Sequence, residues 1–163
     1  MENKELLKQR VEELAGKVNG EVEEILGAII LKIQAPYIIE TLTAAKSFAD
    51  VPCDFLHDLA GLDLGDHFEV VYQLTSWNGP QRLRVKASVD RENPVIDSAT
   101  RIWQGADFLE REAFDMFGIQ FKGHPNLKRI YMWDDFEGYP LRKDYVTEPI
   151  ELRNLVRQRK EGE

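Results

Sequence analysis

The sequence predicts an α+β fold: a single domain with helices packed on a mostly antiparallel sheet, followed by an extended C-terminal segment. Two observations carry this. From His67 to Trp77 and from Gln81 to Asp90, apolar and polar residues alternate, the period of half-buried strands. Around this pair, apolar residues recur at helical spacing in three other stretches.

Taken in order, residues 2–18 read as an amphipathic helix, with Leu7, Val11, Leu14 and Val18 on one face and Gly20 as a stop. Residues 23–34 are rich in isoleucine and read as one buried strand. Pro36 suits a first helical turn, and Ile38, Leu42, Ala45 and Ala49 make one face of a second helix that ends before Pro52. Residues 53–65 read as a loose strand. The alternating pair is joined by Asn78-Gly79, which predicts a tight hairpin. Asp97 is expected to cap a short helix over 98–103. Asp107-Phe108-Leu109-Glu110 has the form of a capping box for a third helix, and Gly118 is suited to its left-handed end. The order is α-β-α-β-β-β-α. Residues 1–118 form the α+β domain, 119–150 an extended irregular interface segment with a short strand near 127–132, and 151–163 a charged tail that orders on a partner.

At 163 residues with 43% apolar content, the chain is long enough for a real core. Its 29 acidic against 21 basic residues give a net charge of −8, which argues against a nucleic-acid binder. With one cysteine, Cys53, the chain can neither form an internal disulfide nor hold an iron–sulfur cluster by itself. The longest apolar stretch, Ile25 to Leu31, is far short of the roughly 20 residues a membrane helix needs. The charged start, Met1 to Glu5, gives no signal peptide. Membrane association is therefore expected only through a partner.

Nucleotide-binding glycine loops, C-x-x-C, H-E-x-x-H and G-x-S-x-G are all absent. His57, His67 and His124 have no ligand-like spacing, and the first two read as surface residues. The pairs Glu110/Glu112 and Asp134/Asp135 invite an acid–base or metal reading, but adjacent and alternate helix positions point apart.

The segment from Ala106 to Tyr145 is different. Phe114, Phe117, Tyr131, Trp133, Phe136 and Tyr139 are interleaved there with Arg111, Arg129, Arg142 and Lys143. Neighbouring carboxylates neutralise these cations, so a protein–protein interface fits better than a nucleic-acid surface. The charges of Arg142 and Lys143 are expected to be matched across that interface, which would leave the isolated fold indifferent to Arg142.

Three blocks in this segment carry a resemblance. They are Glu110-Arg111-Glu112 with Asp115-Met116-Phe117-Gly118, then His124-Pro125 with Leu127-Lys128-Arg129, then Gly138-Tyr139-Pro140-Leu141-Arg142-Lys143-Asp144-Tyr145. Together they resemble the signature of one complex I family, known in mitochondria as the 30-kDa subunit and in bacteria as the C subunit. Two departures are mild: Tyr139 stands where many members carry histidine, and Met116 where leucine is common.

The resemblance covers most of residues 20–150. It implies a hydrophilic, non-catalytic subunit of the peripheral arm of proton-translocating NADH:quinone oxidoreductase. Such a chain holds no cofactor itself; flavin, iron–sulfur clusters and quinone belong to partner subunits. It implies packing on the 49-kDa-type quinone-site subunit beside cluster-bearing subunits, in a hetero-oligomer on the cytoplasmic side of the cell membrane. Similar subunits occur in membrane-bound hydrogenases and coenzyme F420 dehydrogenases. A free-standing adaptor module with the same fold is the alternative of another class.

Overall fold

The computed structural model describes residues 2–77 and 79–146. Helix α1 (Glu2–Val18) leads into strands β1 (Glu21–Ile25) and β2 (Ala28–Gln34). A 3₁₀ turn at Ala35–Tyr37 precedes α2 (Ile38–Lys46), and β3 (Phe55–Asp63), β4 (His67–Thr75) and β5 (Arg82–Asp90) follow. The short strand β6 (Val95–Asp97), the 3₁₀ turn Ala99–Arg101, helix α3 (Ala106–Phe117) and strand β7 (Gln120–Lys122) complete the described chain.

The main sheet has the order β1-β2-β5-β4-β3. Only β2 and β5 run parallel, because α2 and the β3–β4 hairpin intervene between them in sequence. A second, two-stranded sheet pairs β6 with β7 in parallel. The four apolar residues of α1 lie at 5% exposure or less, as their spacing requires. They meet Ile29, Leu31 and Ile33 of β2, and the core continues through Leu83, Val85, Ala87 and Val89 of β5 and Phe68, Val70, Tyr72 and Leu74 of β4. The opposite face of the sheet is laced with charge: Lys32 pairs with Glu23 (2.6 Å) and Lys86 with Glu69 (3.0 Å). Their stems shield Ile30 and Val71, both buried on that face. Among the described residues, no helix is long and apolar enough to cross a membrane.

Several expectations are corrected. Residues 23–34 form two strands, not one, because the chain reverses at Leu26-Gly27 and pairs Ile25 with Ala28. The loose strand over 53–65 is a regular nine-residue strand with one irregularity between Leu56 and Asp58. Both hairpin strands form as read, but their connection runs from Ser76 to Gln81, six residues rather than two. Helix α2 stops at Lys46, where the Ser47 hydroxyl bonds back to the Thr43 carbonyl, so Ala49 is exposed. Asp97 belongs to β6; Ser98 caps the following turn, which is one 3₁₀ turn rather than a helix over 98–103. No strand forms near 127–132; the short strand is β7, and its Ile119 and Phe121 flank belong to the core. The tail over 151–163 lies outside the described residues.

Candidate subunit interface

Helix α3 organises the segment that the sequence singles out. Its apolar face buries Ala106, Ala113, Met116 and Phe117. Gly118 ends it at φ 75°, a left-handed residue whose amide donates to the Phe114 carbonyl (2.8 Å). A side chain at Gly118 would strike the Tyr139 ring and the Arg142 guanidinium, so the later segment packs directly on this helix end.

Glu110 does not serve a capping box; the N-cap of α3 is Gly105. Instead Glu110 is fully buried and accepts from the Ser98 hydroxyl and the Ala99 amide, both at 2.6 Å. It thereby ties α3 to the turn before it. Burial pushes its carboxyl up to about 7, against the opposing pull of those two donors. A carboxyl raised in the folded state favours folding at low pH. That contribution is full below its ordinary value near 4.5 and is lost as pH rises through about 7. The free chain should therefore lose roughly 3 kcal/mol of stability across that window through this group. Melts at stepped pH should show the slope in wild type and a flatter profile in Glu110→Gln, whose amide can keep both hydrogen bonds.

Asp115 is the centre of the constellation. Its side chain is wholly buried, and one oxygen accepts from the amides of Ile130 (3.0 Å), Tyr131 (2.8 Å) and Met132 (2.9 Å). The other accepts from Arg129 at 2.7 Å. Burial works against the charge, but these donors outweigh it and hold the carboxyl below its usual range. The three successive amides, which a strand would have paired, are satisfied here by a carboxylate. Arg129 also donates to the carbonyls of Phe136 (3.2 Å) and Gly138 (3.0 Å) and lies against the rings of Phe136 and Tyr139.

The remaining signature residues extend this clamp. Arg111 donates to the carbonyls of Lys128 (3.1 Å) and Arg129 (3.2 Å). The His124 side chain is buried: its Nε2–H donates to the Asp107 carbonyl (3.1 Å) and Nδ1 accepts from the Asn126 amide (3.0 Å). Pro125, beside it, is exposed. The Leu141 amide reaches the Met116 carbonyl (3.1 Å), carried there by the turn at Gly138 and Pro140. Lys143 donates its amide to Asp63 (2.8 Å), and Asp144 pairs with Arg91 (3.1 Å), which also holds Asp63 (2.7 Å). Burial opposes the charge of Asp63, yet the Lys143 amide, Arg91 and the Gly65 amide hold its carboxyl down at about 2.

Arg142 departs from its expected role. It donates to the Phe117 carbonyl at 2.7 Å, capping the C-terminus of α3, and stacks over Phe68 and Tyr139. It is a structural residue of its own domain. Arg142→Ala should therefore cost the free chain about 2 kcal/mol, seen as a lowered melting temperature.

The large aromatics that face solvent are a different set. Phe108 and Glu112 stand one turn apart on the outer face of α3, and the Tyr131 hydroxyl donates to Glu112 (3.3 Å). Phe108, Tyr131 and Trp133 are exposed by 60–65%. Trp133 leans edge-on against Phe136, itself held by Arg129. Phe108, Tyr131 and Trp133 lie outside the signature residues, although Tyr131 and Trp133 stand among the aromatics that marked the segment as an interface; Ser98, Asp63 and Arg91, which anchor the clamp, lie outside them too. The aromatic richness of the segment was the signal for the first three. No local pattern links Asp63 to Lys143, 80 positions away.

Residues 31–151 match the family described as Respiratory-chain NADH dehydrogenase, 30 Kd subunit. The chain is 46% identical over 125 residues to the C subunit of the NADH-quinone oxidoreductase of Citrifermentans bemidjiense, covering 75% of this chain and 76% of that one. It is 44% identical over 142 residues to the equivalent protein of Trichlorobacter lovleyi, covering 83% and 86%. Among solved structures, it is similar to a trypsin-resistant fragment of Nqo5, with a TM-score of 0.62 and 31% identity over 74% of this chain and 99% of the fragment. A chain of an archaeal membrane-bound sulfane sulfur reductase shares the fold at a TM-score of 0.74 and 22% identity, covering 98% and 92%. The chain belongs to the family of the 30-kDa subunit of the respiratory-chain NADH dehydrogenase, the C subunit of bacterial NADH-quinone oxidoreductases.

Proposed function

We propose that this chain is a structural, cofactor-free subunit of the peripheral arm of a proton-translocating NADH:quinone oxidoreductase, on the cytoplasmic side of the cell membrane. In this reading it docks on the 49-kDa-type quinone-site subunit, beside cluster-bearing subunits, through the outer surface of α3 and the segment after it. The observation that carries the reading is the rigid mounting of exposed aromatics. Asp115 and Arg129 fix the backbone of residues 129–132, and that backbone presents Tyr131 and Trp133 to solvent beside Phe108. Preorganised aromatic anchors bind with little ordering cost.

A non-catalytic role is supported by the chemistry of the groups that might have served otherwise. Cys53 is buried, and burial together with Asp54 pushes its thiol up to about 12, so it stays protonated and is a poor cluster ligand. Among the described residues, no three histidine, cysteine or acidic side chains converge as a metal site. Glu110 and His124 are committed to hydrogen bonds within the chain.

The test separates folding from assembly. Tyr131→Ala combined with Trp133→Ala should leave the melt of the purified chain within about 1 kcal/mol of wild type, because both rings are largely exposed. In membranes, the same variant should reduce co-purification of the 49-kDa-type subunit at least about tenfold, the loss of one or two hot-spot anchors. Wild-type assembly in that variant would overturn the docking surface.

A further inference from the structure

We infer that the end of the sheet opposite the clamp is a second docking surface, one that takes an acidic, apolar polypeptide segment of another subunit. The clamp sits where β3 ends at Asp63 and β5 ends near Arg91. At the other end, the register brings together the start of β3, the end of β4, the start of β5 and the β1–β2 turn. That rim is apolar. Leu26 is fully exposed at the turn, Trp77 is 71% exposed on the β4–β5 connection, and its ring packs on that of Phe55 at 5.3 Å. Exposed apolar rims of this kind mark interaction sites.

Two clefts open beside it. One, of about 390 Å³, lies between α1 and the rim and is lined by Leu7, Leu26, Ile29 and Pro80. The other, of about 280 Å³, runs past His57, Gln73 and Arg84. Ala28 and Arg82 line both, so the two clefts adjoin at this rim. Among the described residues, no aspartate or glutamate lines either cleft, on a chain whose net charge is −8. Lys4 is paired with Glu24 (2.5 Å), but among the described residues Arg84 reaches only the Gln73 amide oxygen (3.5 Å), whose nitrogen donates to Asp58 on the far side (3.4 Å), and Arg82 is exposed. Elsewhere on this sheet face, Lys32 and Lys86 each have a carboxylate.

Charge complementarity names the occupant. Arg82 and Arg84 are two positions apart on one strand, so they share a face at a spacing of about 6.6 Å. Two carboxylates two positions apart on an extended segment have the same spacing, and an apolar neighbour of theirs would enter the cleft beside Leu26 and Pro80. An anionic bilayer calls for a cluster of roughly 4–8 basic residues; two arginines without a carboxylate partner among the described residues commit the surface to a protein segment. This inference rests on the chain's being a subunit of a complex, but not on which partner the clamp face meets.

A photo-crosslinking amino acid replacing Trp77 in the assembled complex tests it. The expected result is an adduct to a segment of another subunit that carries carboxylates two residues apart, mapped by mass spectrometry. Arg82→Glu with Arg84→Glu should lower the adduct yield at least about tenfold, worth 1.4 kcal/mol or more, while the free chain melts as before. If that double variant melts early, Arg82→Gln with Arg84→Gln serves, with the same expected loss. No adduct, an adduct to lipid, to a second copy of this chain or to a basic segment, or a yield indifferent to both arginine variants would overturn the inference. The same reagent at Trp133 reports on the clamp face separately. An adduct there without one at Trp77 sinks this inference and leaves the proposed function standing.

Discussion

Asp115→Ala should release the segment from Lys128 to Tyr145 from its own domain. The carboxylate holds three backbone amides and Arg129, all within one fully or largely buried site. Removing it leaves those amides without a partner and a partly buried guanidinium without its counter-charge. Breaking a buried pair from one side typically costs about 3–5 kcal/mol, before the amides are counted. At roughly 3 °C per kcal/mol for a chain of this size, the melting temperature should fall by about 10 °C or more. Protease sensitivity between Lys128 and Tyr145 should rise with it. Asp115→Asn should fall between, since the amide keeps one acceptor oxygen but loses the charge that Arg129 answers. A melt of Asp115→Ala within 1–2 °C of wild type would show that the segment stands without its central carboxylate.

The second large effect is expected at Phe117. Its ring is buried, meets Phe68 edge-on at 6.3 Å, and lies against Gly61 of β3. A side chain at Gly61 would come within 2.7 Å of that ring, so β3 carries glycine where the Phe117 ring lies against it. Phe117→Ala opens a cavity under α3 and should cost roughly 3–5 kcal/mol. It also loosens the helix end on which Arg142 and Leu141 are anchored. Calorimetric melts of the purified chain should therefore rank Phe117→Ala with Asp115→Ala and well below Arg142→Ala. Equal stability of Phe117→Ala and wild type would remove α3 from the core.

These residues show which parts of the fold were legible in the sequence. Burial by periodicity was: Leu7, Val11, Leu14 and Val18 are interior, and the alternation in β4 and β5 marks their core faces, although Glu69 and Val71 of β4 are buried on the other. So was Gly118, whose left-handed geometry follows from its place after an apolar helix face. The reversal at Leu26-Gly27 was hidden because it interrupts a continuous apolar run without the usual polar turn residues. Glu110 misled for another reason. A carboxylate three residues after an aspartate has the form of a local cap, but its partners, Ser98 and Ala99, precede the helix by a full loop.

The candidate site was legible as a segment but not as an arrangement. Many of its bonds run from side chains to backbone groups 15–80 positions away, and no local pattern encodes those. Arg142 shows the consequence. Lack of periodicity around it suggested a charge waiting for another protein, yet its partner is the carbonyl end of α3. The signature residues are largely the clamp, and Phe108, Tyr131 and Trp133 are the aromatics it leaves exposed.

Hydroxyl-radical footprinting of the free chain and of the membrane-extracted complex tests that division most directly. In the free chain, Tyr131 and Trp133 should be oxidised readily, while Phe117 and Phe68 stay protected. In the complex, labelling of Tyr131 and Trp133 should fall by about tenfold or more, as for anchors moved to the dry centre of an interface. Equal labelling of both rings in the two states would contradict the account, for the clamp would then present its aromatics to water and not to a partner.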